Sequence, residues 1–164
     1  MQDLPKLQKG DKVAILSPSF AAPGMFPKVY ELGLQRLRDV FGLVPVEYPT
    51  TKKLGSSTQE RAKDLIDAFE NNEIKAVIAT IGGDDQVTYI KNLPSEPFVN
   101  NPKPFFGYSD NTHFMNFLWL HGIPSYYGGS VMTQLAMQHA MDDYTVQYLK
   151  RAFFETSELE LRAS

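Results

Sequence analysis

A serine at the corner between a strand and a helix is the residue of this chain best placed to do chemistry. The run Phe105-Phe106-Gly107-Tyr108-Ser109-Asp110-Asn111-Thr112 closes an apolar segment on a serine that opens a helical pattern. A hydroxyl at such a corner stands clear of both elements with free backbone N–H groups beside it, the arrangement of a nucleophile elbow. The Gly-x-Ser-x-Gly signature is incomplete, because Asn111 occupies the place of the second glycine. A second assignment stands beside the chemical one: Ser109 as a helix N-cap whose side-chain oxygen accepts an orphan N–H. The chemical assignment requires the N–H of Asp110, and a second donor from a neighbouring loop, to receive an oxyanion. Gly82 or Gly83 can supply it, because a residue without a side chain lets backbone approach a substrate closely.

Three loops follow three strand-like runs: Ser17-Pro18-Ser19, Gly82-Gly83-Asp84-Asp85 and Ser109-Asp110. Parallel α/β sheets bind ligands at the carboxyl ends of their strands, so the three are expected on one edge. Ser17, Ser19, Asp84 and Asp85 are therefore the candidate substrate-binding residues. The two aspartates also suit a helix start, as an N-cap and a carboxylate facing the helix dipole. Paired carboxylates would repel phosphate from this glycine turn, so the loop suits a substrate amine or amide better. A serine nucleophile needs a general base within hydrogen-bond reach. His113 lies one helical turn after Ser109, but a serine at an elbow points off the helix start, away from that turn. His121, beside Gly122, suits a helix C-terminus, and His139 falls in a polar patch. Tyr126-Tyr127-Gly128-Gly129-Ser130 reads either as a cleft wall or as packing tyrosines followed by a capping serine. Trp119 reads as core or interface.

Composition narrows the classes. The chain has 164 residues, 43% of them hydrophobic and 12% aromatic, enough for one domain with a true core. Its formal net charge of −3 gives no electrostatic case for nucleic acid or an anionic membrane. With no cysteine, disulfides, thiolate catalysis and cysteine metal sites are excluded; no cofactor or metal is called for. No apolar run reaches the length of a membrane span, and the first residues lack a secretory layout, so a cytoplasmic location is expected.

Strand-like and helix-like patterns alternate through the chain. Lys12–Leu16, Val44–Tyr48, Ala76–Ile81, Pro104–Tyr108 and Pro124–Tyr127 read as strands. Met25–Phe41, a segment opened by the capping box Ser57-Thr58-Gln59-Glu60, Asp84–Leu93, Asp110–His121, Val131–Ala140 and Tyr144–Phe154 read as helical. This alternation predicts an α/β fold: a doubly wound, mainly parallel sheet (Rossmann/flavodoxin-like) with helices on both faces.

Taken together, the motifs resemble the LD-carboxypeptidase family of serine peptidases, which includes the microcin C immunity carboxypeptidases. The likeness runs through Gly10-Asp11-Lys12-Val13-Ala14-Ile15-Leu16-Ser17-Pro18-Ser19, Ala79-Thr80-Ile81-Gly82-Gly83-Asp84-Asp85, Asn101-Pro102-Lys103-Pro104 and Gly107-Tyr108-Ser109-Asp110-Asn111-Thr112. The resemblance implies that Ser109 is the nucleophile of a Ser–Glu–His triad, with an oxyanion hole built from the Asp110 amide and an amide of the glycine loop. It implies hydrolysis of an amide bond near a free carboxyl terminus, in cytoplasmic murein tetrapeptides or in peptidyl or aminoacyl nucleotides. The Gly-Gly-Asp-Asp form of the loop resembles the microcin branch. In the family the glutamate and histidine come from a C-terminal domain, and this chain stops at Ser164. The expectation is thus a single nucleophile-bearing domain over residues 1–164, inert without that partner domain, with Glu158–Arg162 leading into it. An exposed face left by the missing domain is expected around Trp119 or Ala152-Phe153-Phe154, and the resemblance implies a homodimer. Two alternatives remain at this level: a non-catalytic module that binds a peptide or other small molecule, and internal catalysis by Ser109 with His113.

Overall fold

The computed structural model describes residues 2–156. Five strands, β1 (Lys12–Leu16), β2 (Val44–Glu47), β3 (Ile74–Ala79), β4 (Phe105–Gly107) and β5 (Ser125–Tyr127), form one sheet in the order β2-β1-β3-β4-β5. Every pairing is parallel, for example Ile15 opposite Ile78 and Ile78 opposite Phe106. Helices α1 (Ala22–Met25), α2 (Pro27–Asp39), α3 (Thr58–Glu70), α4 (Glu96–Asn100), α5 (Thr112–Leu120) and α6 (Asp143–Phe154) connect and cover it. The fold is the α/β, doubly wound parallel sheet that the alternating pattern predicts.

Period-two alternation sends successive residues to opposite faces. Val13, Ile15, Ala76, Ile78 and Phe106 pack against α2, α6 and the segment around Val131–Leu135. Ala14, Leu16, Val77, Ala79 and Phe105 pack against α3, α4 and α5, where Phe69, Phe98 and Phe114 meet edge to face. Strands buried on both faces are why β1 and β3 read as continuous apolar runs.

Three segments depart from expectation. Asp84–Leu93 is not one helix but two 3-10 turns, Gln86–Thr88 and Ile90–Asn92, with the N–H groups of Asp85 and Gln86 donating to the Asp110 carboxylate. Residues 131–140 form turns and bends instead of a helix, and the N–H groups of Val131 and Met132 donate to Ala79 O and Thr80 O at the end of β3. Pro94–Pro102, which its proline and polar residues predict to be a loop, contains α4. Phe153 is core, in edge contact with Phe41 and Phe106, whereas Trp119 and Leu120 are exposed on α5. The expected strand at Glu158–Arg162 lies outside the described residues. Among the described residues, no helix is long and apolar enough to cross a membrane.

α3 begins with the capping box read from sequence: Ser57 Oγ accepts the N–H of Glu60, and the Glu60 carboxylate accepts the N–H of Ser57. The Lys53 ammonium and these Ser57 bonds lower the Glu60 carboxyl from 4.5 to about 2. A carboxyl that titrates lower when folded stabilises above its unfolded pKa and loses that contribution as pH falls through the folded one. Denaturant unfolding of the chain and of Glu60→Gln should therefore differ near neutral pH and converge as pH falls from 4.5 to about 2. A gap that stays constant across that window would show that Glu60 holds nothing through its charge.

Candidate active site

The site is built where β4 gives way to α5. Tyr108 is extended, and Ser109 then turns to φ +59° at the head of a 3-10 turn, Ser109–Asn111. A left-handed non-glycine residue costs on the order of 1–3 kcal/mol and persists only where its surroundings fix it. Asn111 does the fixing. Fully buried, it donates through Nδ2 to Tyr108 O (3.0 Å) and Ile81 O (3.1 Å), and its Oδ1 accepts from Gln86 Nε2 (2.7 Å). Gly107 makes room for this fold-back: a Cβ there would lie 2.9 Å from Asn111 Cβ. Ser109 itself is exposed, and its N–H donates to the Tyr127 hydroxyl at 3.3 Å. Its side chain caps neither the turn nor α5.

The glycine loop after β3 meets the elbow directly. A Cβ on Gly82 would sit 2.8 Å from Ser109 Cβ, 3.0 Å from Ser109 Oγ and 3.4 Å from Asp110 N. One on Gly83 would sit 2.6 Å from Ser19 Cβ. Only glycine permits both approaches. Among the described residues, no hydrogen bond takes up the N–H of Gly82, Gly83 or Asp110. Three backbone donors, two on the glycine loop and one on the elbow it touches, thus stand unpaired.

The Asp110 side chain holds the far end of that loop. Its Oδ2 accepts the N–H groups of Asp85 and Gln86, both at 3.0 Å, and the side chain is 6% exposed. Gln86, fully buried, closes the circuit by accepting the N–H of Phe114 at 3.1 Å. Asp85 carries an ion pair with Arg61 of α3.

The remaining candidates divide. Ser17 is buried, donating to Thr51 O and sharing a hydrogen bond with Thr80 Oγ1, each at 2.7 Å, so it ties the ends of β1, β2 and β3 together. Ser19 is 4% exposed, and its Oγ has no partner among the described residues. Asp84 is exposed on the glycine loop. His113 places Nε2 3.5 Å from Asp110 Oδ1, and no hydrogen bond joins it to Ser109. His121 Nδ1 lies 2.8 Å from Phe117 O at the end of α5, and His139 is exposed. Tyr126 stacks on Phe106 in the core, whereas Tyr127 is exposed, edge-on to Tyr108. A hollow of about 310 Å³ opens beside it, lined in part by Gly128, Gly129, Tyr144 and Tyr148. Sequence reading missed Asn111, Gln86 and Arg61 as parts of the site. The available signal was Asn111 itself, a polar residue in the place of a packing glycine.

An exposed serine at a left-handed strand-to-helix turn, beside a glycine loop with free amides, has the backbone geometry of a nucleophile elbow. The chain belongs to the LD-carboxypeptidase family: residues 13–128 match the LD-carboxypeptidase N-terminal domain. The Bacillus subtilis protein named "Putative carboxypeptidase YocD" is 30% identical over 146 residues, 87% of this chain and 45% of that protein. The MccF-like protein from Streptococcus pneumoniae, solved in complex with AMP, is 32% identical with a TM-score of 0.79, covering 94% of this chain and 48% of that one. Microcin C7 self-immunity protein MccF superposes with a TM-score of 0.87 at 22% identity, over 94% of this chain and 48% of that one, a likeness of fold. The chain spans about half the length of the relatives it matches.

The strain at Ser109 has a measurable consequence. Ser109→Gly relieves the left-handed conformation and Ser109→Ala does not, so the glycine variant should be more stable than the alanine variant by about 1 kcal/mol. Equal denaturation midpoints would mean that the elbow is not strained.

Proposed function

We propose that this chain is the nucleophile-bearing domain of a serine carboxypeptidase that hydrolyses an amide bond close to a free carboxyl terminus. The observation that carries this reading is the exposed Ser109 hydroxyl at a left-handed turn, with the unpaired N–H groups of Asp110 and the Gly82–Gly83 loop around it. In the reaction, Ser109 Oγ attacks the substrate carbonyl carbon and gives up its proton to a base. The carbonyl oxygen, now an oxyanion, is received by the Asp110 N–H and one glycine-loop N–H. The amine leaves with a proton, and water releases the acyl group from Ser109.

The base and its orienting carboxylate are assigned to a C-terminal domain. Two observations favour this: no histidine among the described residues is hydrogen-bonded to Ser109, and the matched relatives are about twice as long. On this reading the 164-residue chain alone is nearly inert, because triad members act as a unit. The substrate class is a murein peptide or an aminoacyl nucleotide. A Bacillus subtilis relative named "Probable murein peptide carboxypeptidase" favours the first, and a solved MccF complex with aspartyl sulfamoyl adenosine favours the second. The exposed Asp84 carboxylate suits a substrate ammonium in either case.

In the full-length protein, Ser109→Ala should abolish hydrolysis of such amides. Gly82→Ala, whose methyl would press on Ser109, should lower kcat by about 100-fold with the fold retained by circular dichroism. Wild-type turnover by Ser109→Ala would refute the proposal.

A further inference from the structure

We propose that Arg61, through its ion pair with Asp85, is a positioning residue of the reaction, setting how closely the Gly82–Gly83 peptide approaches Ser109. The inference rests on the reading of Ser109 as nucleophile. The loop between Ala79 and Gln86 has no regular structure of its own and is held from outside. At its entry, Thr80 N–H donates to Leu16 O at 2.8 Å and Ile81 O accepts from Asn111. At its exit, the N–H groups of Asp85 and Gln86 donate to Asp110. The Asn111 and Asp110 holds both come from the elbow and draw the loop toward the serine. Arg61 reaches the loop from another element. It lies four residues into α3, one turn past the Ser57 capping box, on a rigid support.

The pair is not a surface ornament. The Arg61 side chain is 11% exposed, against 34% for Asp85, and Arg61 Nε is buried without a partner among the described residues. An exposed ion pair would contribute little. A buried one is weak evidence for stability, because apolar side chains of similar volume generally serve as well. A guanidinium kept out of water with one of its donors unpaired, aimed at the residue two places after Gly83, is better explained by geometry than by stability. Catalytic groups misplaced by about 1 Å lose on the order of 100-fold in rate. Asp85 is then not a substrate ligand but the handle by which α3 holds the loop.

The test is steady-state kinetics on the full-length protein with an amide substrate that the wild type turns over. Arg61→Met and Asp85→Asn should each lower kcat by about 10- to 100-fold while KM changes less than about twofold, because the loss falls on the transition state. The double variant should fall no further than the worse single, since both remove one interaction. Arg61→Lys, which keeps the charge, should recover part of the rate. If Arg61→Met does not fold, the near-isosteric Asp85→Asn decides. Unchanged kcat in a folded single variant, or losses that multiply in the double, would overturn the proposal. Ser109→Ala assayed alongside separates the two claims. If it still turns over, the nucleophile reading falls; if it is dead while Asp85→Asn matches wild type, only the positioning role falls.

Discussion

Everything around the elbow depends on two side chains that follow the serine and fold back beneath it. Asp110 and Asn111 between them make five hydrogen bonds that the structure records: the carboxylate to the amides of Asp85 and Gln86, the carboxamide to Ile81, Tyr108 and Gln86. All but the bond to Tyr108 reach the loop after β3. Buried hydrogen bonds to a charged acceptor are worth more than neutral ones, and leaving such groups unpaired is costlier still. The loop and the elbow therefore behave as one body. That is how a stretch with two adjacent glycines can be held at contact distance from a hydroxyl without a strand or helix to support it.

The sheet order supplies the setting. β1 lies between β2 and β3, so the connections after β1 and β3 leave on opposite faces and open a crevice at the carboxyl ends of the strands. Thr80, Ser17 and Thr51 knit those strand ends into a floor, with Ser130 Oγ donating to Thr80 O from the far side. Above that floor the chain has no room for side chains at positions 82 and 83. In the proposed reaction this combination matters more than any single residue, because an oxyanion site acts only if its donors are in place before charge develops.

Much of this was legible in the sequence, and the gaps have physical causes. Strand positions, the Ser57 capping box and the parallel arrangement follow from apolar periodicity and local hydrogen bonding, which nearby residues determine. The convergence of residues 17–19, 82–85 and 109–110 follows from topology once the strands are placed. The stretches Asp84–Leu93 and Val131–Ala140, expected as helices, are turns whose first amide groups donate to partners distant in sequence, Asp110 for the first and the end of β3 for the second. Local pattern carries no trace of those contacts. Ser17 looks like a ligand-facing hydroxyl in sequence because its bonds to Thr51 and Thr80 span 34 and 63 residues. Arg61 reads as an ordinary polar position on an amphipathic helix, since nothing local marks the carboxylate it meets.

The central claim is that the amides of Asp110 and of the glycine loop are fixed, unpaired and aimed at one point beside Ser109. A crystal structure of the protein with a peptide boronic acid bound tests it most directly. The account predicts a covalent bond from boron to Ser109 Oγ and one boronate oxygen about 2.7–3.1 Å from both the Asp110 nitrogen and a nitrogen of Gly82 or Gly83. A boronate whose oxygens all face solvent, or one attached elsewhere, would contradict it.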